Sequence, residues 1–580
     1  MNENGVTSVT QAIILKNLTD KFFPSTFSVT LPGTEVGNVE ARDSKGNLET
    51  ETILEGSNTK VTIRFINQQV IGLGKEYPWT LSYEDKSVAR KLAGVWNINL
   101  PKISQQTEVK NLKLTLSVPS SLGDPDFISP KPTLTSESGG QINLIYTQNE
   151  LLNSGISAIF GDSLSFEFDL SYILKNKAIF PKYMRLAIPG DSAYQQSFIQ
   201  SIEPRPENVV TDDLGNTFAV FKVNSNQEYE VKVKGNVKTF LSSQQKDILS
   251  EAEKKYYLKE SKFWDTNNPN IKTKLSEIVP HQDLGVFDRA RIIDKYVSNF
   301  LRFDYGRIER SDFTRFGSIT ALNNPEKALA AEYVDLETTL LRSAGIPTRQ
   351  VIGFALPSQN KPFSFDNQNL HSWLEFYDDN AGWVITDPAW ESTTSGADFF
   401  AFNDLNHIAL AFSNGDQDLV LPGSVETRVY EGSLYQEKGA ELDINIEKEI
   451  LSGFPSKGKI RINNLGQVAF PASILHIDTA KILLEFPGEQ PIITKTINTP
   501  EIPPFGHVEY DFNLKTGAIW HSYQDAFQVR FAGVDDTRLI TVTPILSYKI
   551  YAVEIIGAII MIILFYALIL LLHHKSIKKD

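Results

Sequence analysis

Near the C-terminus the stretch "IIGAIIMIILFYALILLL" runs from Ile555 to Leu572, eighteen residues without a charge. At about 1.5 Å per residue this run and its flanks cover the ~30 Å hydrocarbon core of a bilayer, where a single segment can satisfy its backbone only as a helix. No other run in the chain is comparable, so a single-pass membrane protein is expected, anchored through Ile555–Leu572. Tyr548 and Tyr551 sit at one edge as interfacial aromatics, and the other edge reads "HHKSIKKD", with Lys575, Lys578 and Lys579 against one acid. The positive-inside rule places this tail in the cytoplasm and the large body outside. A buried core helix is the alternative, but it would need a polar face that this segment lacks.

An exported body needs a signal, and "MNENGVTSVTQAIILKNL" has neither a basic n-region nor an apolar h-region. Asn4 and Gly5 suit a tight turn, and a strand follows at once, with its partner expected ahead of Met1. The sequence is therefore expected to lack the signal peptide of a longer exported precursor. A tail-anchored cytosolic protein is the alternative, and it puts the lysines on the wrong side of the membrane.

The chain's 580 residues exceed what one hydrophobic core organises, so several domains are expected. A net charge of -14 with no Lys/Arg block in the body excludes the basic footprint that a nucleic-acid partner requires. The absence of cysteine excludes disulfides, thiolate metal sites and a cysteine nucleophile, and it leaves the compartment open.

Through residue 235 the chain reads as short strands. "SFEFDLSY" puts Phe166, Phe168, Leu170 and Tyr172 on one face, and "NLKLTLSVP" and "YEVKVKG" repeat the period of two. From about residue 240 the spacing turns helical. Ile293, Tyr296, Val297 and Phe300 form one apolar stripe; Leu329, Tyr333, Leu336 and Leu340 form another, which ends at Gly345 and Pro347. Two strands and a hairpin are expected next. After residue 430 alternation returns, as in "GHVEYDFNL".

The hairpin carries the candidate chemistry. "HSWLEFY" and "WVITDPAW" flank the turn "DDNAG", so Tyr377 pairs most simply with Trp383, which sets His371 opposite Ala389 and Trp373 opposite Asp387. His371 and Asp387 are then diagonal neighbours on one face, within side-chain reach. Two readings fit: the base half of a catalytic triad, an imidazole oriented by a carboxylate, or a packed histidine beside ordinary Asp-Pro turn chemistry.

Residues 327–390, with "LLRSAGIPTRQVIGFA", "HSWLEFY" and "GWVITDPAW" in order, resemble the core of the transglutaminase-like superfamily, relatives of the papain-like cysteine proteases. The similarity extends over about 240–412, and the whole layout resembles an exported, membrane-anchored bacterial type. It implies a multidomain fold: an N-terminal all-β sandwich-like region, a central α+β transglutaminase-like domain, a C-terminal Ig-like β-sandwich and a single transmembrane helix. The expected boundaries are 1–100 and 101–235 for two β domains, 236–412 for the transglutaminase-like domain, 413–545 for the Ig-like domain, 546–573 for the membrane helix and 574–580 for the tail.

The resemblance also assigns roles. His371 corresponds to the general base and Asp387 to its orienting carboxylate. The family's nucleophilic cysteine falls on Ala330, and neither Leu329 nor Ala331 offers a hydroxyl in its place. Glu332 is expected in the polar shell of its helix. In a triad acting as a unit, loss of the nucleophile costs on the order of a million-fold in turnover, about 8 kcal/mol. The first reading is therefore a pseudoenzyme that binds a peptide or cell-wall ligand or serves as a surface scaffold. The alternatives are an active acyltransferase or peptidase in a form with cysteine in place of Ala330, and a plain β-rich stalk. No cofactor or metal is expected, because His281, His407, His476, His507 and His521 stand singly, as surface or strand residues, and His573 and His574 adjoin the membrane. Oligomeric state has no sequence signature here.

Overall fold

The computed structural model describes residues 1–580 apart from 3, 33–35, 56–57, 66–71, 101–110, 154, 281–282, 357–362, 367–369, 395–397, 416–418, 435–438, 518, 545–547 and 578–580. His281, the expected boundary at Pro101, and Lys578 and Lys579 lie outside the described residues. The chain divides into two compact units, one of residues 1–205, 212–218 and 222–434, the other of 206–211, 219–221 and 435–580.

The first unit opens with the Asn2–Val6 turn, where Gly5 takes a positive φ and the Asn2 side chain accepts from the Asn4 and Val6 amides. Strand Thr7–Lys16 pairs along its whole length with Glu76–Asp85, so the partner expected ahead of Met1 is supplied from within the chain. These belong to a six-stranded arrangement closed over Val61, Ile63, Trp79 and Leu81. A four-stranded and a three-stranded sheet follow around Trp96, Ile98, Val118 and Tyr146. Here strand Val95–Leu100 pairs with Ile156–Phe160. A domain boundary at 100/101 would therefore cut this sheet, because alternation identifies strands but not their partners.

The alternating face of Phe166, Phe168, Leu170 and Tyr172 is fully buried. Its strand, Ser163–Lys175, lies between Glu228–Phe240 and Ser424–Val429 in a five-stranded sheet, which crosses the expected limits at 235 and 412.

The central domain packs helices α1 (Val286–Phe300) and α2 (Ala330–Ser343) on a four-stranded antiparallel sheet. In chain order its strands are β1 (Thr348–Ala355), β2 (His371–Asp378), β3 (Gly382–Thr386) and β4 (His407–Ser413); in space the order is β3-β2-β1-β4. Ile293, Val297, Leu336 and Leu340 form a core with Leu374 and Phe376 on one face of the sheet. On the other face Trp373, Tyr377, Trp383 and Phe412 pack with Tyr194 and Leu214. Burial on both faces explains why β2 is buried without a break from Ser372 to Tyr377 instead of alternating. The predicted exit of α2 is observed: Gly345 has φ +77°, and the Gly345 and Ile346 amides return to Arg342 and Leu341 carbonyls.

The second unit holds a four-stranded and a five-stranded sheet that share one core, with Ile460, Ile462, Leu475, Leu514, Phe527 and Val529 buried between them. It begins at 435, not 413, because Ser424–Val429 is taken into the first unit's sheet. Helix Tyr548–Ile577 ends the described chain and runs four residues into the expected tail. Within it Val553–Leu572 is long and apolar enough to cross a membrane, and none of it is buried by protein.

Candidate active site

The hairpin pairs Tyr377 with Trp383, as the turn residues dictate, and continues to Leu374 opposite Thr386. It stops there. Asp387 does not pair with Trp373, nor Ala389 with His371, because Pro388 opens the short helix α3 (Pro388–Thr393) with Asp387 as its N-cap. The Asp387 Oδ1 atom accepts from the Trp390 amide at 2.9 Å, which fixes the carboxylate. Its other oxygen reaches the head of β2, where His371 Nε2 lies 2.5 Å from Oδ2. The expected pair therefore forms by a helix cap and not by a strand register.

A third side chain completes the group. His407, the first residue of β4, is buried with Nε2 3.0 Å from the same Asp387 Oδ2 and Nδ1 2.7 Å from Asp404 Oδ1. The reading of His407 as an isolated residue is corrected here: β4 pairs with β1 on the side opposite β2, and so brings it to His371. The available signal was Asp404, three residues ahead of His407 at the start of an apolar strand. His371, Asp387 and His407 form a group whose possible metal-ligating atoms all lie within 4.8 Å of one another. His476, His507 and His521 belong to the second unit.

Burial alone would push the Asp387 carboxyl up, but the two imidazoles, His371 foremost, outweigh it and hold the group well below the usual carboxylate range. Burial would lower His407, yet Asp404 and Asp387 push it up to about 10. Asp387 is thus an anion held between two rings. Trp373 and Trp390 wall the group, with ring centroids 5.9 and 5.5 Å from His371. Gly353 faces His371 across β1 and β2, and a Cβ there would lie 2.1 Å from the Ile408 carbonyl oxygen, so the close approach of β4 to β1 at this position requires glycine.

Ala330 is the first residue of α2 and is partly buried. The helix packs on β2 through the shared core and on α3 through Tyr333, whose hydroxyl lies 2.9 Å from Ser392 Oγ. Glu332 is buried and accepts from the Leu329 amide at 2.8 Å, from the Phe316 amide at 2.9 Å and from Arg307 Nη1 at 3.1 Å. It caps the turn that carries Ala330, in keeping with the polar role expected for it.

More acids are buried on the facing helices, Asp294 on α1, Glu337 on α2 and Glu391 on α3. Asp294 accepts from the Thr386 hydroxyl at 2.7 Å, Glu391 accepts from Lys295 at 2.6 Å, and neither Glu337 oxygen has a hydrogen-bond partner among the described residues. Burial first, then the neighbouring acids, raises Glu337 and Asp294 well above their usual range. An acid raised in the folded state keeps a proton that the unfolded chain has lost. Its contribution is intact below the unfolded value of 4.5 and falls as pH rises toward the folded value. Glu337→Gln should therefore flatten the decline of the domain's stability above that pH, by up to about 1.4 kcal/mol per pH unit. Protection of the α2 amides against hydrogen exchange, followed in both proteins across pH, checks this; parallel curves would show that Glu337 does not titrate differently on folding.

Residues 275–388 match the family model of the transglutaminase-like superfamily, a span that includes α2, β2 and Asp387. The chain carries a transglutaminase-like domain. The match is narrower than the expected 240–412 and ends before His407. No curated protein matches the chain in sequence. Similar solved structures include a candidate cysteine protease from Cytophaga hutchinsonii, 13% identical, covering 47% of this chain and 93% of that one at a TM-score of 0.35. The periplasmic domain of TgpA from Pseudomonas aeruginosa is 15% identical over 40% of this chain and 92% of its own, at 0.22. Red sea bream transglutaminase is 10% identical over 90% and 80%, at 0.19. None of the three is near enough to carry a function across, and the assignment of the transglutaminase-like domain rests on the family match.

Proposed function

We propose that this protein is a membrane-anchored pseudoenzyme: a transglutaminase-like domain that has the base half of a triad, His371 and Asp387, without a nucleophile. One observation carries the reading. The imidazole and carboxylate are paired at 2.5 Å, while the head of α2, to which the family's cysteine corresponds, is Ala330 in a chain with no cysteine at all. Alanine cannot form an acyl-enzyme, so the domain binds instead of turning over. Its ligand class is a peptide or cell-wall segment taken beside His371, with the β domains and the C-terminal Ig-like sandwich as spacers. The lysines beyond the apolar helix support a cytoplasmic tail and a body outside.

The test is a binding titration of the full chain in detergent micelles with glutamine-containing peptides and cell-wall stem peptides, paired with an assay for amide hydrolysis and transfer to an amine. Saturable binding without turnover is expected. Turnover would establish the enzymatic alternative with some other nucleophile; binding that never saturates would leave a scaffold in place of a receptor.

A further inference from the structure

We propose that His371, Asp387 and His407 bind one divalent transition-metal ion of the class that imidazole nitrogen favours, such as Zn²⁺ or Co²⁺. This reverses the expectation of a metal-free protein, and it holds whether or not the domain binds peptides.

The geometry carries it. Two imidazole Nε2 atoms, from the first residues of β2 and β4, converge on a single carboxylate oxygen, Asp387 Oδ2, at 2.5 and 3.0 Å. Zn–N bonds of about 2.0–2.1 Å in a tetrahedral site place ligand atoms roughly 3.3 Å apart, so a shift of under about 1 Å opens room for the ion. The surrounding contacts orient the ligands as metal sites require. Asp404 accepts from His407 Nδ1 at 2.7 Å, which leaves Nε2 to face the site, and the Trp390 amide occupies Asp387 Oδ1, which leaves Oδ2. Each imidazole binds through a bare Nε2. Any hydrogen there leaves as a proton or, in His371, moves to Nδ1, while His407 keeps its Nδ1 hydrogen, donated to Asp404. The His371 side chain retains 14% exposure, so the fourth position opens toward solvent, as in sites that exchange a ligand. Hard cations are excluded, since Ca²⁺ and Mg²⁺ take six or more oxygens and this group offers two nitrogens and one carboxylate.

The experiment uses the tag-free full chain in micelles, stripped with chelator, then titrated with ZnCl₂ by calorimetry and with CoCl₂ by visible absorption. One ion per chain is expected, with the d–d bands of four-coordinate Co²⁺ and no competition from Mg²⁺ or Ca²⁺. His371→Gln and His407→Gln should each weaken binding at least tenfold, and Asp404→Asn about 10- to 100-fold. Should His407→Gln fail to fold, His371→Gln carries the test from its partly exposed position. Absence of saturable binding by the folded parent would overturn the proposal and leave a hydrogen-bonded cluster. So would equal affinity in His371→Gln with loss on replacing His573 and His574 by alanine, which would put the ion at the membrane edge.

Discussion

Ala330→Cys is expected to react with amide or thioester acyl donors at a rate at least ~10³-fold above the parent, whose turnover should be indistinguishable from buffer. The size follows from how triads work. Their members act as a unit, so a site that keeps its base and orienting carboxylate but lacks a nucleophile loses nearly everything, and restoring that one atom recovers most of it. Three features of the chain favour recovery. Asp387 is an anion fixed by the Trp390 amide and bonded to His371. Position 330 heads a fourteen-residue helix, whose N-terminal amides stabilise a thiolate. Glu332 pins that first turn through the Leu329 amide. The assay belongs in chelator, since an ion on His371 would occupy the base. A folded Ala330→Cys protein that forms no acyl-enzyme even then would mean that His371 and Asp387 are not arranged for catalysis, and that their pairing serves binding or metal capture alone.

What the sequence made legible is what local chemistry dictates. The apolar run fixed the helix Tyr548–Ile577 by composition alone, and the turn "DDNAG" set the pairing of Tyr377 with Trp383 without any knowledge of the fold. The helix exit at Gly345 needed only a residue tolerant of positive φ. Misreadings arose where partners are distant or where two local rules compete. Extrapolating the hairpin carried Asp387 into a strand, but the following proline favours a helix start, and the cap won. His407 joins His371 only because β4 and β2 flank β1, a pairing that no local pattern encodes. Sheets cross the expected limits at 100, 235 and 412 for the same reason: Val95–Leu100 pairs with Ile156–Phe160, and Ser163–Lys175 with both Glu228–Phe240 and Ser424–Val429.

Arg307→Ala should destabilise the transglutaminase-like domain by about 3–5 kcal/mol, the cost typical of leaving one buried charge without its partner. Arg307 is buried, donates to Glu332 and to the Lys327 and Thr314 carbonyls, and lies over the Phe316 ring at 4.3 Å. Removing it takes the donor from two carbonyl groups and the charged partner from a buried carboxylate at once. The Leu329 and Phe316 amides still donate to Glu332, so the double variant Arg307→Ala/Glu332→Gln, which also removes the charge, should recover part of the loss. Because the chain is multidomain, one melting temperature cannot isolate this effect, and hydrogen exchange of the amides in α2 is the measurement to make. Faster exchange along α2, largest at its head, is expected, with the C-terminal sandwich unchanged. A change below about 1 kcal/mol would show that water already compensates the pair. The functional consequence links this ion pair to position 330: a frayed first turn no longer holds a thiolate in place, so Arg307→Ala added to Ala330→Cys should abolish the activity that the cysteine confers, without touching His371 or Asp387.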